Sequence, residues 1–203
     1  MSLKKAYLIV ILVLLVDQIS KIYIKTHFRL GEAKEVFSWF YIQFIENDGM
    51  AWGTEIPGWL GGKLTLTLFR ILAVGGIGWW LWDSVKKKQS PYLIVSIALI
   101  LAGAFGNIID SVLYGLIFDH SLPGKVATFD TANHYGTFLH GKVVDMLYFP
   151  IIKDGHFPTW LPIIGGKEFS FFNAIFNVAD AAISVAVGIL IVFNKKAFPK
   201  HEA

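Results

Sequence analysis

The sequence predicts a membrane protein, mainly α-helical, with four transmembrane helices, a short β-rich patch outside the membrane and an extended outer loop. Three observations carry this expectation. Apolar runs at residues 6–24, 64–83, 92–117 and 172–193 each approach or exceed the roughly 20 residues that cross a bilayer. Only 16% of the residues are charged, against about 25% in ordinary soluble proteins. The lysines cluster at the N-terminus (Lys4, Lys5), between the second and third runs (Lys86, Lys87, Lys88) and at the C-terminus (Lys195, Lys196, Lys200). By the positive-inside rule all three groups are cytoplasmic. One membrane domain spanning residues 1–203 is expected, with regions 26–63 and 119–169 on the outer side. The net charge of +3 gives no sign of a nucleic-acid partner, and with no cysteine there is no disulfide, thiol nucleophile or cysteine metal site.

The first run follows Lys4-Lys5 and resembles the start of a secretory signal, but no small-x-small cleavage site follows it. It continues through Asp17 and Lys21, an i, i+4 pair with the acid first, the favourable order on one helix face. After Thr26 the helical pattern stops. Val36 to Ile45 is β-branched and aromatic, suited to one or two short strands. It leads into Glu46-Asn47-Asp48-Gly49, a turn-forming cluster. Trp39, Tyr41, Trp52 and Trp59 suit a structure at headgroup level.

The second run contains Arg70 and ends in the interfacial belt Trp79-Trp80-Leu81-Trp82. The third carries Gly103, Gly106, Asn107, Asp110 and Ser111, the glycines allowing close approach of another helix. The Gly, Pro, His and Thr content of residues 119–169 suits loops and a short hairpin, around an apolar island with a single acid, Asp145. The four histidines there (His120, His134, His140, His156) match no familiar ligand spacing, so neither a metal nor a cofactor is expected. The last run, read as one helix from residue 172, places Asn173, Asn177, Asp180 and Ser184 at spacings of four, three and four, a polar stripe.

A carboxylate inside a spanning helix costs roughly 2.5–3.5 kcal/mol on insertion scales, so it usually has a function or a partner. Two readings compete: polar packing between helices, or one shared site. Depth separates them. At 1.5 Å per residue, Asp17 is about 18 Å beyond Lys5, Asp110 about 27 Å beyond Tyr92 and Asp180 about 22 Å before Lys195. In a hydrocarbon core of about 30 Å all three lie in the outer half. Asp145 reaches the same level if its apolar flanks dip into the interface. Such convergence favours one outward-facing site. Two close carboxylates in poorly hydrated surroundings share a proton. One can then take a proton from water while the other polarises a peptide carbonyl, which is aspartic proteolysis.

Five segments, taken in order, resemble the signatures of the lipoprotein signal peptidase (signal peptidase II) family: Asp17-Gln-Ile-Ser-Lys21, Asn47-Asp-Gly49-Met-Ala-Trp, Gly106-Asn107-Ile-Ile-Asp110, Gly141-Lys-Val-Val-Asp145 and Phe176-Asn177-Val-Ala-Asp180. The resemblance covers all four runs and both outer regions. It implies a bacterial inner-membrane aspartic endopeptidase that removes the signal peptide from diacylglyceryl-modified prolipoproteins, just before the lipidated cysteine. It implies Asp145 and Asp180 as the catalytic dyad. Asn47, Gly49, Asn107, Asp110 and Asn177 would support the site or bind substrate, and Asp17 and Lys21 would be structural. It also implies an extracytoplasmic β-cradle at Val36 to Trp52. Membrane lipid and the lipidated precursor are the expected partners, for a monomer with both termini cytoplasmic and its site facing the periplasmic or outer side. Readings from other classes are a small proton-coupled transporter, which would spread acids across the full membrane depth, and a non-catalytic lipid-binding protein.

The chain departs from the family pattern twice. Ser111 stands where the family usually has Arg after the third-motif acid, which makes Arg70 a candidate outer cation. Residues 116–138 also lengthen the chain, as an outer flap or a tolerated insertion.

Overall fold

The structure is a computed structural model that describes residues 1–48, 62–171 and 173–199. Helix α1 (Leu3–His27) is followed by strands β1 (Ala33–Phe37) and β2 (Phe40–Asn47), then α2 (Gly62–Lys86) and α3 (Pro91–Ile109). A π-helical turn (Asp110–Tyr114) and the short α4 (Gly115–Ile117) extend α3. Strands β3 (Val143–Tyr148), β4 (Ile152–His156), β5 (Glu168–Phe171) and β6 (Ile175–Phe176) precede α5 (Val178–Val192) and α6 (Asn194–Ala197).

Among the described residues three helical stretches are long and apolar enough to cross a membrane: Leu3–His27, Gly62–Lys86 and Pro91–Ile117. In the first two, large apolar residues face outward, as at Leu12 and Ile19 of α1 and Phe69 and Leu72 of α2, whereas the third buries Leu93, Ile94 and Ile97. A helix in lipid satisfies its own backbone groups and needs no polar exterior. Proline at the first turn of α3 fits there because that N–H has no intrahelical partner.

The fourth apolar run is the main correction. Its helix begins at Val178, not at residue 172, and has 15 residues, about 22 Å of rise. Ile175 and Phe176 are drawn into β6 instead, opposite Tyr148 and Leu147 of β3. Asn177 then caps the helix: its extended backbone (φ −118°, ψ −179°) stops helical hydrogen bonding, and its side chain accepts from Asp180 N–H. The expected polar stripe therefore breaks. Asn173 is outside the helix and accepts from the Tyr148 hydroxyl at 2.8 Å, leaving Asp180 and Ser184 on the helix itself.

An antiparallel sheet of order β1-β2-β3-β6 lies at one end of the helices, and β4 and β5 form a separate pair. The strand pattern seen at residues 36–45 corresponds to β1 and β2; the apolar island around Asp145 is β3. Two apolar cores result. Ala6, Leu81, Leu93, Ile97 and Ala197 form one at the lysine-rich helix ends. Ile24, Phe44, Tyr114, Phe118, Val144 and Met146 form the other beneath the sheet. Residues 116–138 pack against this second core rather than projecting, with bridges from Phe118 to Phe129 and from Arg29 to Val126.

Two glycines bring α3 against its neighbours. A Cβ on Gly103 would stand 2.3 Å from the Ala179 carbonyl oxygen, and one on Gly106 would stand 2.6 Å from the Asp17 carboxylate. Any larger residue at either position forces α3 away from α5 or α1.

Candidate active site

The predicted site residues within the described part of the chain meet where the sheet covers the helices. Gly49 lies outside the described residues, as do Trp52 and Trp59. The others form two adjoining groups.

In the first group Lys21 sits fully enclosed between two acids, 3.0 Å from Asp17 and 2.9 Å from Asp110. Gln18 donates to both carboxylates at 3.0 Å. Each acid also accepts one backbone N–H. Asp17 takes that of Ala179 at 2.9 Å, and Asp110 that of Val144 at 3.2 Å. Ala179 and Val144 immediately precede Asp180 and Asp145 in sequence. The ion-paired group thus fastens the chain one residue before each acid of the second group. The π-helical turn contributes here, because Asp110 opens it and Gly141 packs directly on the Asp110 carbonyl. The Gly141 N–H donates to Ser111 carbonyl at 2.8 Å, which ties the approach to β3 onto the end of α3.

The second group is built from amides. Asp145, 2% exposed, accepts from Asn177 Nδ2 at 2.7 Å and from the side-chain amide of Asn47. Asp180 accepts from Asn107 Nδ2 at 2.9 Å and from Asn177 backbone N–H at 3.3 Å. Asn177 therefore contacts both carboxylates, one through its side chain and one through its backbone. Asn107 is aimed by its other end: its Oδ1 accepts from Lys21 Nζ at 2.8 Å and from Asn177 at 3.0 Å. Its amide nitrogen is left pointing at Asp180. Arg70, half-buried on α2, lies within electrostatic reach of Asp180.

The electrostatics of the second group follow from this arrangement. Burial first, then repulsion from Asp180, pushes the Asp145 carboxyl up to about 7, against the downward pull of the Asn177 hydrogen bond. A group with such a value switches protonation state near neutral pH, as a general acid or base requires.

Several contributors were not singled out from sequence. Gln18 sits beside Asp17 within the first motif. Glu46 adjoins Asn47. Lys25 lies four residues beyond Lys21, so Asp17, Lys21 and Lys25 mark one face of α1. Ser111, by contrast, stands out in the sequence as a departure from the family pattern; it is buried and turns its hydroxyl back to the Asn107 carbonyl at 3.1 Å. Among the described residues no three His, Asp or Glu side chains converge as a cation site.

A family model described as signal peptidase (SPase) II matches residues 9–195. A lipoprotein signal peptidase of Porphyromonas gingivalis is 46% identical over 91% of this chain and 80% of its own length. One from Amoebophilus asiaticus is 34% identical over 95% of this chain and 78% of its own. A solved bacterial membrane enzyme structure, obtained by the in meso method, superposes with a TM-score of 0.63 at 25% identity, covering 99% of this chain and 94% of that one. By both the breadth of the family match and the identity to its relatives, this chain belongs to the signal peptidase II family, membrane proteases that process lipoprotein signal peptides.

Proposed function

We propose that Asp145 and Asp180 are the catalytic dyad with which this protease hydrolyses the peptide bond before the lipidated cysteine of a prolipoprotein. The observation that carries the reading is the double engagement of Asn177, which bonds Asp145 through its side chain and Asp180 through its backbone. One residue thereby fixes two carboxylates relative to each other, and the pair holds one proton near neutrality. The ionised carboxyl takes a proton from water as its oxygen attacks the peptide carbonyl carbon. The protonated carboxyl gives its proton to the carbonyl oxygen. As the tetrahedral diol collapses and the C–N bond breaks, one carboxyl gives its proton to the leaving amine. The other takes a proton from a diol hydroxyl, which leaves the product carboxyl and restores the one-proton dyad. No cofactor enters this scheme.

Asn47, Asn107 and Asn177 hold the carboxylates, and Asp17, Lys21 and Asp110 hold the backbone that carries them. Asp110 is fully enclosed and is read as support, not as a substrate contact. Gly49 is retained as a substrate-side candidate on the motif alone. The chain is read as one domain with four spans, α5 being the fourth and completed at its start by the β6 cap. The sheet is the family's outer cradle. Both termini are then cytoplasmic, the dyad opens in the outer leaflet, and a monomer is sufficient. The gathering of Asp17, Asp110 and Asp180 at one end of the helices disfavours the transporter reading.

Purified enzyme should cut a lipidated precursor peptide and leave its unlipidated counterpart nearly intact, because the acyl chains remain in the outer leaflet while the cleavage point reaches the acids. Equal cleavage of both peptides would remove the lipid from the recognition scheme.

A further inference from the structure

Residues 116–138 touch β2, the strand paired beside Asp145, and Lys142, the residue just before β3, the strand that carries it. Lys25, one turn beyond Lys21 on α1, is fully enclosed. Its ammonium pairs with Glu46, donates to Ser121 Oγ at 2.9 Å, and lies over the rings of Phe118 and Tyr135 at 5.2 and 4.8 Å. Ser121 Oγ in turn donates to Glu46 at 2.7 Å. A buried ammonium held by a carboxylate, a hydroxyl and two ring faces has little freedom. Glu46 stands opposite Val144 in the β2–β3 pairing, between Ile45 opposite Asp145 and Asn47 opposite Val143. Asn47 is the residue whose amide bonds Asp145.

The other contact reaches β3 from its start. The Tyr135 hydroxyl accepts the Lys142 N–H at 2.7 Å, three residues before Asp145. The segment has its own bracing: the Tyr135 N–H donates to the Phe118 carbonyl at 2.9 Å, and Asp119 accepts the Thr128 N–H at 2.7 Å and pairs with Lys125. Phe118, Ser121 and Tyr135 therefore act from one braced segment.

We propose that residues 118–135 form a positioning clamp on Asp145, acting on β2 through Ser121, Lys25 and Glu46 and on the start of β3 through the Tyr135 hydroxyl. The proposal rests on the reading of Asp145 as catalytic. Both contacts lie within three residues of Asp145 or of Asn47, its hydrogen-bond partner. Loosening either changes where the carboxyl sits without touching substrate.

The test uses the full-length enzyme and a lipidated precursor peptide, with kcat taken per folded molecule and the thermal midpoint measured alongside. Ser121→Ala and Tyr135→Phe each delete one oxygen and leave the ring stack around Lys25. Each should lower kcat by about 10-fold with KM nearly unchanged, below the roughly 10²-fold that ångström-scale misplacement of a reacting group can cost. The Ser121→Ala loss should shrink in an Asn47→Ala background, because its effect passes through the strand that carries Asn47. Unchanged kcat in both variants, whatever the thermal midpoint does, overturns the clamp, as do losses that simply multiply in the Asn47→Ala background. Asp145→Asn is assayed in parallel. If it is inactive while Ser121→Ala and Tyr135→Phe match the parent, only the clamp fails; if it is active, the dyad reading fails and the clamp with it.

Discussion

The two carboxylate pairs of this peptidase are built from the same residue type and differ in what faces them. Asp17 and Asp110 share an enclosed ammonium, Lys21, at 3.0 and 2.9 Å. Asp145 and Asp180 receive hydrogen bonds from asparagine amides and a backbone N–H. A shared cation holds its acids in place and fixes the chain around them. Amides orient a carboxyl yet leave it free to gain and lose a proton. The first pair is therefore suited to structure and the second to chemistry. Their adjacency is useful, since the fixed pair grips Ala179 and Val144, next to the two acids of the proposed dyad.

The comparison breaks most severely if either reactive acid proves dispensable. Asp145→Asn and Asp180→Asn should each lower cleavage by at least the roughly 10²–10⁴-fold that a positioned proton-transfer group supplies. The double variant should be little worse, because members of such a unit do not add. Both variants should remain folded by size-exclusion and thermal unfolding, whereas substantial turnover by a folded single variant would end the assignment.

Changes in the ion-paired group should act on stability instead. Lys21→Met leaves two enclosed carboxylates without their cation and should cost about 3–5 kcal/mol, seen as a collapse in folded yield. Asp17→Asn should be milder, because Asp110 and Asn107 still hold Lys21. A loss of about 1–3 kcal/mol is expected for that variant, with residual activity per folded molecule.

Asn107 spans the two groups, so Asn107→Ala sharpens the distinction. Removing a hydrogen bond to a charged group, worth about 1.5–3 kcal/mol, should slow cleavage roughly 10- to 100-fold with a smaller effect on unfolding. A pure stability loss at unchanged kcat would move Asn107 into the structural group.

The smallest expected effect is in pH dependence. Asp145 is pushed from an ordinary 3.8 up to about 7, so between those values the folded protein holds a proton that the unfolded chain has released. Its contribution to stability is complete below about pH 4, declines as pH rises and is lost above about 7. Asp145→Asn should flatten that slope in unfolding measured from pH 4 to 8. Cleavage by the parent enzyme should fall as pH rises through about 7, where the shared proton leaves.

Much of this was legible in the sequence, for identifiable reasons. Long apolar runs and lysine clusters are one-dimensional signals, and the spacing of Asp17, Asn107, Asp110, Asn177 and Asp180 carried the site. What failed was a boundary. Ala174, Ile175 and Phe176 read as a continuation of the apolar helix that follows, and the pairing of Ile175 and Phe176 with β3, together with the Asn177 cap, removes them from it. That pairing joins segments far apart in the chain and leaves no local periodicity. Lys25 and Glu46 were missed for a similar reason. Each reads alone as an ordinary charge near an interface, and their partners, Ser121 and Tyr135, come from residues 116–138, whose role was not legible.

The hydrogen bond from Ala179 N–H to Asp17 joins residues 162 positions apart, on the first and last long helices. During synthesis the chain therefore has Asp17, Lys21, Asp110 and Asp145 in hand well before the element that carries Asp180 leaves the ribosome. Until then the site lacks its second carboxyl, and Asp17 lacks one of its donors. On the proposed assignment of the dyad, a half-made copy cannot cut the membrane-bound precursors around it, and chain order alone defers proteolytic competence to the closing stage of biogenesis.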